Sequence, residues 1–247
     1  MDAFSPETLV APAKLTLSLR MTGVREDGFH LIEAEMVSLD FHDVLRVEPG
    51  DSLTVVGPQG TETVGPDDDN LVRRALGMCG RTASVTLRKE IPAGAGLGGG
   101  SSDAAAILRW AGFDDLDAAA GIGADVAYCL IGGRARVRGI GELVEPLPFE
   151  PRTLTLVTPP VFCSTPAVYR AWDELGGPTG QHGNDLEPAA LVVAPELARW
   201  RDELATATGE QPRLAGSGST WFVEGAFPDA GRVVSTIPAV DGRPLDG

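Results

Sequence analysis

Pro92-Ala-Gly94-Ala-Gly96-Leu97-Gly98-Gly99-Gly100-Ser101-Ser102-Asp103-Ala-Ala-Ala106 is the stretch on which the reading of this chain turns. Its five glycines permit sharp turns and leave no Cβ between backbone and ligand, so successive N–H groups can face a phosphate. Two serines and a run of alanines follow, then Ile107, Leu108 and Trp110, which predicts a helix ending near Gly112. A glycine-rich loop feeding a helix N-terminus is an anion site, because the first-turn N–H groups lack partners and the helix dipole favours negative charge. No Lys-Ser or Lys-Thr follows at the Walker A spacing. The G-x-G-x-x-G match at 94–99 is too common in glycine-rich sequence to mark a dinucleotide site.

Upstream, residues 14–21 alternate, with Leu15, Leu17, Leu19 and Met21 on one face and Lys14, Thr16, Ser18 and Arg20 on the other. That pattern predicts a half-buried strand with Lys14 and Thr16 adjacent on its polar side. A turn-rich loop at 23–30 follows, tightest at Asp27-Gly28. Segments 31–40, 44–48 and 51–56 read as separate strands, and 70–78 as a helix opened by Asp67, Asp68 and Asp69. A strand at 85–87 leads into the glycine loop. Beyond the central helix come a short helix at 114–120, the segment 125–131, and a strand through Ala135 and Val137. Pro146, Pro148 and Pro151 mark a boundary between residues 1–150 and 151–247. The second part holds a strand at 153–158, a loop at 176–183, a helix at 195–205, a second glycine-serine loop at 214–220 and a strand at 221–223. Without regular βαβ alternation, the fold class is α+β in two parts.

The chain has 247 residues and a formal net charge of −15, with 43% hydrophobic and 22% charged residues. That is an ordinary globular composition, and its acidity argues against nucleic acid or an anionic membrane as partner. A small phosphorylated ligand needs only local positive potential, so it remains compatible. Cys79, Cys129 and Cys163 are widely spaced, which excludes a disulfide framework and a zinc knuckle. The first residues carry no basic, apolar leader and no segment approaches a membrane span, so a cytoplasmic protein is expected.

Three segments, in this order, resemble the three motifs of the GHMP kinase superfamily. They are the Pro12-Ala13-Lys14 strand, the phosphate loop at 92–106, and the loop at 215–220. The chain is most similar to the branch acting on a cytidine-diphosphate-linked methylerythritol. The match rests on Arg25-Glu-Asp-Gly-Phe-His30, Asp69-Asn70-Leu71, Lys89 with Ile91-Pro92, and the triple-glycine form of the loop. Gly123-Ala-Asp-Val126, Gly139-Ile-Gly-Glu142 and Asn184-Asp-Leu186 extend it over nearly the whole chain. The resemblance implies a two-domain fold with the active site in the cleft, and ATP-dependent phosphorylation of that substrate's 2-hydroxyl in the non-mevalonate isoprenoid route. Other GHMP small-molecule kinases, for mevalonate, homoserine or sugars, are alternatives, as is a non-catalytic nucleotide sensor of the same fold. The Asp27-Gly-Phe-His30 element favours the cytidine substrate, and the coexistence of Lys14 and Asp125 argues against a pure binder.

The same resemblance implies roles for single residues. Asp125 would accept the hydroxyl proton and Lys14 would offset the charge that develops; an aspartate after Gly123 could instead simply cap a helix. Thr16, Phe29, His30, Thr165, Tyr169, Gly216 and Ser217 would line the substrate side, with Phe29 and Tyr169 flanking the base. Relatives often carry Asn in place of Thr16 and Tyr in place of Phe29, so one amide and one phenol contact are absent here. Asn70 and Lys89 would meet the adenine. Pro92, Gly94, Gly96, Leu97, Gly98, Gly99, Gly100, Ser101 and Ser102 would hold the phosphates, either serine acting as hydroxyl donor. Mg2+ is expected with the ATP on general grounds, with no protein ligand apparent.

Overall fold

The computed structural model describes residues 4–58, 60–64 and 69–239. It begins with a long antiparallel hairpin of β1 (Glu7–Val24) and β2 (His30–Glu48). The turn between them is closed by the Arg25 N–H donating to the Phe29 carbonyl at 2.8 Å. There follow β3 (Ser52–Gly57), β4 (Gly60–Val64), α1 (Leu71–Met78), β5 (Ser84–Arg88), α2 (Gly99–Trp110), α3 (Leu116–Ile122), α4 (Val126–Ile131), β6 (Arg134–Gly139) and β7 (Leu143–Pro146). The remainder is β8 (Thr153–Val157), α5 (Thr165–Glu174), α6 (Glu187–Val193), α7 (Leu197–Thr208), β9 (Arg213–Leu214), β10 (Trp221–Glu224) and β11 (Arg232–Ile237). The α+β class is as expected; α5, α6 and β11 lack a clear sequence signature. Among the described residues no helix is long and apolar enough to cross a membrane.

β2 organises the sheet. One of its edges pairs with β1, while β6, β11 and β5 pair with it in succession at Ile32–Val37, Ser38–Leu39 and Val44–Glu48. β11 also pairs with β8, so the strands of the two sequence halves are hydrogen-bonded into one sheet. The separate strands expected at 31–40 and 44–48 are therefore a single one. It continues through Asp43 although that residue is fully buried, because its carboxylate accepts the Glu90 and Ile91 N–H groups at 2.5 and 2.8 Å and pairs with Lys89. A buried carboxylate with both oxygens engaged does not break a strand.

β1 departs from the half-buried expectation: residues 11–17 are buried on both faces. Its pairing with β2 shifts register at Pro12/Lys14 and again at Thr16/Ser18. Leu9, Ala11 and Leu19 belong to the core under the helices, whereas Ala13, Leu15 and Leu17 join a second core with Leu97, Leu154 and Phe222. Between the two irregularities the alternation is thus reversed, which turns Lys14 and Thr16 towards the helices. The acidic run expected to open α1 is described only at Asp69. Asp67 and Asp68 lie outside the described residues, and Asn70 is the cap, its side chain accepting the Val72 N–H at 2.9 Å.

A buried charge cluster fixes α2 against the sheet. Lys89 pairs with Asp43 on one side and with Asp103 Oδ2, at 2.7 Å, on the other. Asp103 Oδ1 has no partner among the described residues. Burial pushes the Asp103 carboxyl up to about 7, Lys89 opposing and Asp43 reinforcing the rise. Between the ordinary value of 3.8 and about 7 the folded chain holds a proton on Asp103 that the unfolded chain has released. Stability contributed by this group therefore falls as pH rises through that window. Urea unfolding from pH 4 to 7.5 should show a smaller loss for Asp103→Asn than for the unsubstituted chain, by about 1 kcal/mol or more. Parallel pH profiles for the two proteins would refute this assignment.

Candidate active site

The phosphate loop and the second glycine loop are pressed together. A Cβ on Gly96 would stand 2.6 Å from the Gly218 carbonyl oxygen and 2.7 Å from that of Ala215, and the Thr220 N–H donates to the Ala95 carbonyl at 3.2 Å. Gly98 precedes α2 with φ +66°, and no side chain caps that helix. The first-turn amides are therefore free to take an anion. They border a cavity of about 460 Å³ whose far wall is Val55, Asn70, Leu71, Leu87, Lys89 and Ile91.

Of the residues expected on the nucleotide side, Asn70, Lys89, Pro92, Gly94, Gly96, Leu97, Gly98, Gly99, Gly100 and Ser101 all line this cavity. Ser102 does not. It is buried, and its hydroxyl donates to the Pro12 carbonyl at 2.7 Å, fastening α2 to β1. Its hydroxyl hydrogen is thus already committed, which leaves Ser101 as the hydroxyl facing a ligand. Asn70 spends its carbonyl oxygen on the α1 cap, and the Lys89 ammonium is shared by two carboxylates.

Lys14 and Asp125, 111 positions apart by their numbering, meet at 3.0 Å between Nζ and Oδ2. Lys14 also donates to Thr16 Oγ1 at 3.2 Å, so the two side chains share a face as expected. Asp125 precedes α4 at the capping position yet makes no side-chain cap. Its side chain keeps 31% of its surface while that of Lys14 keeps 6%, which leaves the carboxylate open to a ligand and the ammonium walled in. Gly98 and Gly216 supply the walls. A Cβ on Gly98 would reach 2.5 Å from Lys14 Cγ, and one on Gly216 would lie 3.6 Å from Thr16 Oγ1. The cap alternative for Asp125 is therefore set aside by the geometry.

The other expected ligand-side residues lie on α5, the second glycine loop and the hairpin tip. Thr165 and Ser217 hydroxyls are 2.8 Å apart, joining the start of α5 to the second glycine loop. Tyr169 packs its ring on His30, centroid to centroid 4.9 Å. Burial, then the Asp125 charge, push its hydroxyl up to about 12. Phe29 is half exposed at the hairpin tip and carries Arg25 over its ring at 5.3 Å. Arg25 is held there by Asp27. Residues without an expected role complete the frame. Asn184 Nδ2 donates to the carbonyls of Leu214 and Gly216, and Asp185 takes Arg20 at 2.6 Å and the Met21 N–H at 2.9 Å. Their only advance signal was the Asn184-Asp-Leu186 string itself.

This geometry agrees with the comparisons to known proteins. A model of the GHMP kinases N terminal domain matches residues 70–133, the segment from α1 through the phosphate loop to α4. A protein of Cereibacter sphaeroides named 4-diphosphocytidyl-2-C-methyl-D-erythritol kinase is 39% identical, the match covering 86% of this chain and 87% of that protein. One of Paracoccus denitrificans with the same name is 38% identical over 89% of this chain and 86% of its own length. A crystal structure of 4-(cytidine 5'-diphospho)-2C-methyl-D-erythritol kinase superposes with TM-score 0.73 at 32% identity, covering 94% of this chain and 99% of that one. A homoserine kinase from Cytophaga hutchinsonii, 17% identical with TM-score 0.61 over 99% of each chain, shares the fold. With that identity sustained along most of its length, the chain belongs to the 4-diphosphocytidyl-2-C-methyl-D-erythritol kinase family within the GHMP kinases.

Proposed function

We propose that this protein transfers the γ-phosphoryl group of ATP to the 2-hydroxyl of 4-diphosphocytidyl-2-C-methyl-D-erythritol, a step of the non-mevalonate isoprenoid route. The observation that carries the reading is the Lys14–Asp125 pair at 3.0 Å, set where two glycine loops meet. The partly exposed Asp125 carboxylate takes the hydroxyl proton, and the freed oxygen forms its bond to the γ-phosphorus as the bond to the β-phosphate oxygen breaks, releasing ADP. Lys14 offsets charge on the attacking oxygen. Uncapped amides of α2 and the Ser101 hydroxyl hold the phosphates.

Among the described residues no group of three or more His, Cys, Asp or Glu side chains is placed to hold a metal ion. Mg2+ would thus enter on the nucleotide's own phosphates, where it neutralises their charge. Residues 1–150 would hold the nucleotide and the hairpin tip, and 151–247 would close the site through α5 and the second loop. Phe29, His30 and Tyr169 would hold the cytosine. Such a kinase works in the cytoplasm, on a small molecule, without nucleic acid or membrane.

Turnover of the cytidine compound with ATP, set against mevalonate and homoserine, tests the substrate assignment directly; phosphorylation of mevalonate alone would overturn it. Asp125→Asn should lower kcat by about a hundredfold or more while the Kd for ATP stays within about twofold. Equal loss of both would make Asp125 a structural residue. Gly98→Ala should also lower kcat/KM by about a hundredfold, because both its positive φ and the space taken by Lys14 oppose a methyl group. Unchanged kinetics in that variant would remove the wall assigned to Gly98.

A further inference from the structure

His30 begins β2 beneath the hairpin tip, and three residues of α5 enclose its ring. Tyr169 lies 4.9 Å from it between centroids, Trp172 meets it edge-on at 5.7 Å, and Asp173 Oδ1 is 2.8 Å from Nε2. The spacing 169, 172 and 173 is i, i+3, i+4, so one helix face makes the whole cage. That face is braced from behind, since the Trp172 indole N–H donates to the Pro178 carbonyl at 2.9 Å. A cage this specific is more than a solvated loop histidine requires.

An ionised carboxylate can only accept a hydrogen bond, so the nitrogen facing Asp173 carries the proton. In the neutral ring the other nitrogen, Nδ1, then holds a lone pair. Among the described residues Nδ1 has no hydrogen-bond partner. A lone pair of fixed direction accepts from an exocyclic amine and is repelled by a carbonyl oxygen. Cytosine carries the amine where uracil carries the carbonyl.

We propose that Asp173 is a positioning residue of the base pocket, holding the His30 Nε2–H so that Nδ1 reads the exocyclic amine of an aminopyrimidine and rejects a uracil-bearing substrate. This rests on the reading above in which His30 meets the base. It adds the residue that gives the histidine its direction, and it states what the pair discriminates against. The arrangement follows the general pattern in which a carboxylate behind an imidazole sets tautomer and ring plane for the nitrogen in front.

The test compares Asp173→Leu, Asp173→Asn and His30→Ala on the cytidine substrate and on its uridine diphosphate analogue. Asp173→Leu should raise KM for the cytidine compound about tenfold and narrow the cytidine-to-uridine ratio of kcat/KM by a similar factor. Its kcat and its KM for ATP should stay within about twofold. Asp173→Asn should retain both properties, since an amide oxygen accepts the same hydrogen bond. Nitrogen-15 NMR of labelled histidine should show the Nε2–H form at His30, lost in the leucine variant. If Asp173→Leu changes neither KM nor the ratio while His30→Ala raises KM, the inference is overturned and the base-site reading stands. If His30→Ala also leaves KM unchanged, the base-site reading itself falls. A parallel loss of ATP binding and thermal stability in Asp173→Leu would show a structural role only and overturn the proposal.

Discussion

The site depends on backbone approaching where side chains cannot fit. At Gly96 the phosphate loop lies against two carbonyls of the second glycine loop, and at Gly98 it lies against the aliphatic stem of Lys14. Those contacts place three otherwise distant parts of the chain within reach of one ligand: a strand near the N-terminus, a helix start in the middle, and a loop near the C-terminus. Dense contact of this kind has little tolerance, because a methyl group on Gly96 would press on backbone carbonyls and one on Gly98 on the inner stem of Lys14 rather than on a flexible tip. The phosphate loop is thus a packing element as much as a ligand cradle.

Charge follows the same economy. The protein is acidic overall, yet the two ammonium groups nearest the cavity are both paired, Lys14 being buried and Lys89 half-buried. Lys14 has one carboxylate, open to solvent, and so remains able to serve a substrate. Lys89 has two, both buried, and is spent on holding α2 to the sheet. Two lysines of the same type near the same loop therefore take different tasks, and the difference lies in how many carboxylates reach each and how exposed those are.

Much of this was legible in the residues. The glycine loop, the helix after it and the shared face of Lys14 and Thr16 follow from local pattern and are present. Thr165 and Ser217 meet, as do His30 and Tyr169. What local pattern could not supply were partners distant in sequence. Asp43 looks like a break between strands until Glu90 and Ile91 are seen to satisfy it, and Ser102 looks like a phosphate donor until Pro12 claims its hydroxyl. Asp173 carries no sequence signal at all, because its importance comes from a hairpin more than 140 residues away. In each case the deciding hydrogen bond is long-range, and its donor or acceptor is a backbone group or a single side chain that leaves no periodic trace.

The last strand has a mechanical meaning. Because β11 is laced to β2 along one side and to β8 along the other, the walls of the cleft are stitched at their base. They cannot swing apart like jaws without tearing that seam, through Thr236 and Ile237 on the β2 side. Any opening that leaves this seam intact must come from loops and helix ends outside it.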